Sequence, residues 1–95
     1  MTQIEEIAIK IIKEQELIIG PMAWVEAEKV QGLHVDRTKG EAVVDTSDPK
    51  DAIDGLVGQY ERLFGRASQE GCREAAAPLL SSLSPADIPS SLRPV

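Results

Sequence analysis

The chain has 95 residues, of which 42% are hydrophobic, 27% are charged and only 3% are aromatic. A chain of this length supports one domain with one core, and this composition is typical of a globular protein rather than a disordered one. The formal net charge of −6 removes the overall electrostatic attraction for phosphate backbones, so nucleic acid is a disfavoured partner.

A first helix is predicted over residues 2–19, because isoleucines recur at helical spacing on a face expected to be buried. Ile9 falls outside this face, which predicts either an exposed side chain or contact with a second surface. The stripe itself comprises Ile4, Ile7, Ile11 and Ile18, with Ala8, Ile12 and Ile19 beside it.

Gly20-Pro21 is predicted to end this helix, because proline within a helix loses a hydrogen bond and clashes with the preceding turn. A second helix is predicted over residues 21–30, and one kinked helix is the alternative. In the second helix Met22, Trp24 and Val25 are expected to face inward. The acidic and basic residues Glu26, Glu28 and Lys29 are expected to face outward.

The uncharged stretch over residues 17–25 is too short to be a membrane anchor. Its length is about half of the ~20 apolar residues that a membrane-spanning helix needs. Core packing at a helix corner is the preferred interpretation of its apolar character. The alternative is a ligand pocket lined by Met22 and Trp24.

A β-hairpin is predicted over residues 33–45, where the apolar pattern changes from helical spacing to alternation. Gly40 can supply the positive φ angle that the turn needs. An isolated two-stranded hairpin is only marginally stable, so Val35 and Val43 are expected to pack on the helices or on a second copy.

A third helix is predicted over residues 48–64, with Asp48 as its N-cap, Pro49 at its first position and Gly65 after its end. Its inward face is expected to run from Ile53 to Phe64. The third helix also contains Gly55 and Gly58. Each of these glycines lowers the stability of the helix by about 1 kcal/mol relative to alanine. This spacing predicts close approach of another backbone, within the chain or across a dimer.

A fourth helix is predicted over residues 68–83, with Ser68 as its N-cap and a kink at Pro78. These elements assign residues 1–83 to a single helical domain with an inserted hairpin. The serines and prolines that follow predict an extended tail over residues 84–95.

No catalytic, cofactor or metal site is predicted, and the protein is not expected to be an enzyme. The aspartates at 45, 48, 51 and 54 do not follow the ligand spacing of an EF-hand loop. Cys72 on an apolar helix face is expected to be inert, and His34 on the hairpin is expected to face solvent or a partner. The single cysteine and the acidic start of the chain predict a cytoplasmic protein.

The favoured function is a non-catalytic protein-interaction or scaffold module that forms a homodimer or larger homo-oligomer, with a heterologous protein partner as the further expectation. The first alternative is a DNA-binding regulator using the helices at 48–64 and 68–80. The second is a small-ligand sensor with a pocket near Met22 and Trp24. The candidate interface residues are Ile9, Val35, Val43, Gly55 and Gly58.

Overall fold

Four α-helices and one antiparallel β-hairpin make up residues 2–92, the part of the chain that the computed structural model describes. This architecture confirms the predicted mainly α fold with a hairpin between the second and third helices. Met1 and residues 93–95 lie outside the described part. In chain order the elements are α1 (Gln3–Ile19), α2 (Met22–Glu28), β1 (Leu33–Asp36), β2 (Glu41–Val44), α3 (Pro49–Phe64), α4 (Arg66–Leu80) and two short 3-10 turns (Pro85–Asp87 and Ser90–Leu92).

The first helix, α1, begins at a capping box and lies at the centre of the core. Thr2 Oγ1 accepts a hydrogen bond from the Glu5 N–H, and the Glu5 carboxylate accepts one from the Thr2 N–H. The helix contacts α2, α3, α4 and β2, and so forms the common packing surface of the fold. Its buried residues are Ile7, Ala8, Ile9, Ile11, Ile12 and Gln15.

The last turn of α1 departs from the predicted apolar face. Ile18 is mostly exposed, although Ile7 and Ile11 on the same stripe are fully buried. Ser68, in the first turn of α4, already lies at the level of Gln15, so residues beyond Gln15 have no turn of α4 to pack against. The expected burial of Ile18 is therefore wrong.

The chain breaks at Gly20-Pro21 rather than continuing as one kinked helix. Gly20 has a φ of +73°, in the left-handed region that favours glycine, and the helix of α2 begins after Pro21. Helix α2 is shorter than the predicted 21–30, because it ends at Glu28 with Lys29 as its C-cap.

The orientation predicted for α2 is correct for Trp24, which is buried, and for Glu28 and Lys29, which are exposed, but it is wrong for the other three residues. Met22 and Val25 are about half exposed, whereas Glu26 is buried. The Glu26 carboxylate accepts hydrogen bonds from the Gln59 side-chain amide and from Lys29 Nζ, at 2.8 and 3.0 Å. These partners lower the pKa of Glu26, the Gln59 bond most and Lys29 next, and they make burial of a charged side chain tolerable.

The predicted hairpin is confirmed, with Leu33 opposite Val44 and Asp36 opposite Glu41. Gly40 in the turn has a φ of +64°. The outer edge of β2 is attached to α1, because the Val44 N–H donates to Glu5 Oε2 at 2.9 Å. The hydrogen bonds from the Thr2 and Val44 backbones lower the pKa of Glu5.

The third helix begins as predicted, and the Asp48 side chain accepts a hydrogen bond from the Lys50 N–H. Its buried face runs from Ala52 to Tyr60. Leu63 and Phe64 lie beyond this face and are exposed, contrary to the prediction. Tyr60 is the last buried residue of α3, and its hydroxyl donates to the Ala23 carbonyl in the first turn of α2.

The glycines of α3 do not admit another backbone of this chain. A Cβ atom at Gly55 would meet only the Val30 side chain, at 3.1 Å, and one at Gly58 would meet nothing within 4 Å. The close backbone approach predicted within the chain at Gly55 and Gly58 is therefore wrong. Both residues lie on the solvent-facing side of α3.

The fourth helix begins at Arg66, directly after Gly65, rather than at Ser68, whose side chain is buried. The helix runs through Pro78 and ends at Leu80 instead of residue 83. Because Pro78 has no N–H to donate to the Glu74 carbonyl, this last part of the helix lacks one intrahelical hydrogen bond.

Residues 85–92 depart from the extended tail predicted over residues 84–95. They fold back on α3 and α4, and Leu92 is buried in the core. The Asp54 carboxylate accepts hydrogen bonds from both the N–H and Oγ of Ser91 and from Ser90 Oγ. Arg73 Nε also donates to the Ser91 carbonyl at 3.1 Å. Polar partners on two helices thus hold a segment whose composition resembles a linker.

The two glutamates with lowered pKa values, Glu5 and Glu26, predict a loss of stability in acid. Each ionised group stabilises the fold above its ordinary pKa of 4.5, and this contribution is lost as the pH falls through the lower folded value. We expect the free energy of unfolding, measured with denaturant, to fall as the pH is lowered from about 5 to about 3. The double variant Glu5→Gln/Glu26→Gln should show a smaller fall, and an unchanged pH dependence would contradict this assignment.

Candidate interaction surface

Two buried contacts bring the ends of all four helices together at one end of the molecule. Gln15 Nε2, near the end of α1, donates to the Ser68 carbonyl at 3.3 Å, in the first turn of α4. The Tyr60 hydroxyl, near the end of α3, donates to the Ala23 carbonyl at 2.6 Å, in the first turn of α2. The end of α1, the start of α2, the end of α3 and the start of α4 therefore lie side by side.

This end of the molecule carries a concentration of exposed apolar side chains. Among residues 2–92, every large apolar side chain that is exposed lies here, except Val43 on the hairpin. We call these six residues the apolar end: Leu17 (82% exposed), Ile18 (68%), Met22 (52%), Val25 (53%), Leu63 (46%) and Phe64 (37%).

The corner between α1 and α2 fixes which side chains point outward. The buried Trp24 indole donates from Nε1 to Glu16 Oε2 at 2.9 Å, and Arg37 of the hairpin turn lies 3.5 Å from the same oxygen. Met22 and Val25, two positions before and one after Trp24, are consequently turned toward solvent. The exposed aliphatic side chains thus stand on a corner anchored by a buried aromatic residue.

Charged residues of both signs lie close in sequence to the residues of the apolar end. The Glu16–Arg37 and Glu26–Lys29 pairs are each internally neutralised. The remaining charged residues within one helical turn of the apolar end are three acidic and three basic: Lys13, Glu14, Glu28, Glu61, Arg62 and Arg66. We call these six residues the rim, and their formal charges cancel.

The opposite end of the molecule is strongly acidic. The Glu5–Val44 hydrogen bond places the start of α1 beside the end of β2, and a surface cavity of about 260 Å³ joins Thr2 to Lys50 and Asp87. The acidic residues gathered around this end are Glu5, Glu6, Asp45, Asp48, Asp51 and Asp87, with Lys50 as a basic neighbour. The excess negative charge of the chain is thus distant from the apolar end.

The interface residues predicted from the sequence differ in their exposure. Ile9 is buried in the core, and Val35 on β1 is half-buried. Val43 on β2 is 53% exposed, and Gly55 and Gly58 lie on the outer side of α3. The uncharged stretch over residues 17–25 is the sequence signal that points to the apolar end, and the core-packing interpretation of this stretch is wrong for its exposed residues Leu17, Ile18, Met22 and Val25.

Met22 and Trp24, predicted as lining residues of a small-ligand pocket, lie on opposite sides of α2. Trp24 is buried with its indole N–H already bonded, whereas Met22 faces solvent. The largest of the surface cavities described, about 420 Å³, lies elsewhere, beside Gly32, Asp51 and Gly55.

The single cysteine and the single histidine of the sequence lie in different surroundings. Cys72 is fully buried, and burial raises the pKa of its thiol to about 12, although a hydrogen bond from Gln15 acts in the opposite direction. His34 is exposed on β1, where its nearest acidic partner is Asp45 at 3.6 Å. Within residues 2–92, no three His, Cys, Asp or Glu side chains are grouped as a metal site would require.

The N-terminal half of α4, which the DNA-binding alternative would use, is partly committed to the fold. Arg73 donates a hydrogen bond to the Ser91 carbonyl and so holds the 3-10 turn at Ser90–Leu92, the C-terminal turn. Glu70 shares a surface cavity of about 330 Å³ with Arg66, Gln69 and Arg73, which places a carboxylate among the basic groups. A carboxylate in this position opposes the approach of a phosphate.

None of the helices within residues 2–92 is long and apolar enough to cross a membrane. Comparison of the chain with protein-family models, with characterised proteins and with solved structures returns no match.

Proposed function

We propose that this chain is a non-catalytic protein-interaction or scaffold module whose contact surface is the apolar end. The observation that carries the proposal is the placement of six exposed apolar side chains at one end of a 95-residue chain. Contiguous apolar surface rimmed by polar residues is typical of protein–protein contact sites.

The construction of the apolar end supports a specific contact rather than incidental exposure. Trp24, Tyr60 and Gln15 anchor the backbones beneath it through hydrogen bonds to Glu16, Ala23 and Ser68. A surface held in place before association loses little conformational freedom on binding, which favours affinity.

Other features support this class of function over the alternatives. The net charge of −6 and the carboxylate of Glu70 weigh against DNA binding through α4. The separation of Met22 from Trp24 weighs against a ligand pocket at the corner. We also propose a cytoplasmic location, supported by the single cysteine, Cys72, which is a buried free thiol.

Site-specific photo-crosslinking in cells that express the chain tests the proposal. A benzophenone amino acid at position 18 should give discrete crosslinked products, because Ile18 is exposed within the apolar end. The matched control places the same amino acid at position 10 of the same helix, where the exposed Lys10 lies outside the apolar end. Equal products at both positions, or none at position 18, would refute the proposed surface.

A further inference from the structure

We propose that the partner of the apolar end is a second copy of this chain, joined end to end about a two-fold axis. This inference rests on the proposed interaction function and adds the identity of the partner. Closed two-fold dimers are the commonest assemblies of soluble proteins, and in them the same patch of each copy contacts the other. The apolar end must therefore be compatible with itself in both shape and charge.

The distribution of charge satisfies this requirement at the apolar end. The rim contains three acidic and three basic residues, so two copies can approach through it without net repulsion. Beside Leu63 and Phe64 the basic residues Arg62 and Arg66 outnumber the acidic Glu61. Near Leu17, Ile18 and Val25 the acidic residues Glu14 and Glu28 outnumber the basic Lys13. A two-fold axis through the apolar end can bring the basic side of one copy near the acidic side of the other.

The acidic end disfavours an arrangement in which the acidic ends of two copies meet. Helix α1 spans about 25 Å from the acidic end to the apolar end, which is about three Debye lengths at physiological ionic strength. Contact through the apolar ends keeps the two acidic ends at the far extremes of the assembly. Contact between two acidic ends would bring like charges together, at a cost of several kcal/mol for close pairs.

The variant Arg66→Glu tests the arrangement with little risk to folding. Arg66 is exposed at the first position of α4, where a negative charge interacts favourably with the helix dipole. In a two-fold dimer the substitution makes both rims acidic, so we expect the dissociation constant to rise on the order of tenfold, and less at high salt. The matched control Lys10→Glu makes the same charge change outside the rim and should alter it by less than about twofold.

The measurement is the mass in solution, by size-exclusion chromatography with light scattering, over a range of micromolar concentrations. A two-chain mass that is weakened by Arg66→Glu and by Ile18→Lys, but not by Lys10→Glu, supports the end-to-end dimer. The inference is overturned if the two-chain mass is unchanged by both Arg66→Glu and Ile18→Lys, or if Lys10→Glu weakens the dimer as much as Arg66→Glu does.

A one-chain mass at every concentration also overturns the inference. In that case the crosslinking result at position 18 decides separately whether the interaction function stands. Crosslinked products heavier than two chains would retain the proposed function with a different partner, whereas an absence of products would refute both.

Discussion

Replacing Ile11 by alanine is expected to lower the free energy of unfolding by about 2–5 kcal/mol. Ile11 is fully buried on α1, the helix that contacts the other three helices and the hairpin. Removing its side chain loses apolar burial and leaves a cavity that surrounding elements can fill only in part. Denaturant unfolding monitored by circular dichroism provides the measurement.

The matched control is Ile18→Ala. Ile18 is the residue that follows Ile11 in the apolar stripe predicted for the same helix. Because Ile18 is 68% exposed, the change in stability should stay within about 0.5 kcal/mol when measured at a concentration where the chain is monomeric. Equal losses for Ile11→Ala and Ile18→Ala would mean that the end of α1 is covered within the single chain. That result would remove the basis of the apolar end.

Replacing Leu92 by alanine is the second large change, with an expected loss of about 2–3 kcal/mol. Leu92 is 2% exposed and is the apolar anchor of the C-terminal turn that Asp54 and Arg73 hold by hydrogen bonds. Without this anchor the turn should detach, exposing the surfaces of α3 and α4 that it covers. Thermal and denaturant unfolding would both report the loss.

The control for this prediction is Leu17→Ala, which makes the same chemical change at a side chain that is 82% exposed. We expect a change within about 0.5 kcal/mol for the monomer. If Leu92→Ala proved as harmless as Leu17→Ala, residues 85–92 would contribute nothing to the fold, and the extended tail predicted from the sequence would be the better description.

Local chemistry explains why the start of α3 and the hairpin could be predicted. Asp48 and Pro49 satisfy the first turn of a helix by capping and by the fixed proline φ angle, whatever the rest of the chain does. Gly40 permits the left-handed turn between two alternating segments. These signals depend on neighbours in sequence, so no knowledge of tertiary packing was needed.

The orientation of α2 and the exposure of the apolar end depend on neighbours in space. Four consecutive apolar residues, 22–25, leave helical periodicity unable to choose an inward face. The choice is made by Tyr60 and Gln59 of α3, which bind Ala23 and Glu26 and turn Met22 outward. Similarly, Asp54 and Arg73 bind the turn at Ser90–Leu92, and this pairing cannot be predicted without knowing that α3 and α4 lie beside the turn.

Hydroxyl-radical footprinting of the associated and dilute states is the most direct test of the contact surface. Our account predicts that Met22 and Phe64, both exposed at the apolar end, become protected from oxidation on association. Val43, which is as exposed as Met22 but lies on the hairpin, should react at the same rate in both states. Protection of Val43 with no change at Met22 and Phe64 would place the contact on the hairpin, and would contradict the account.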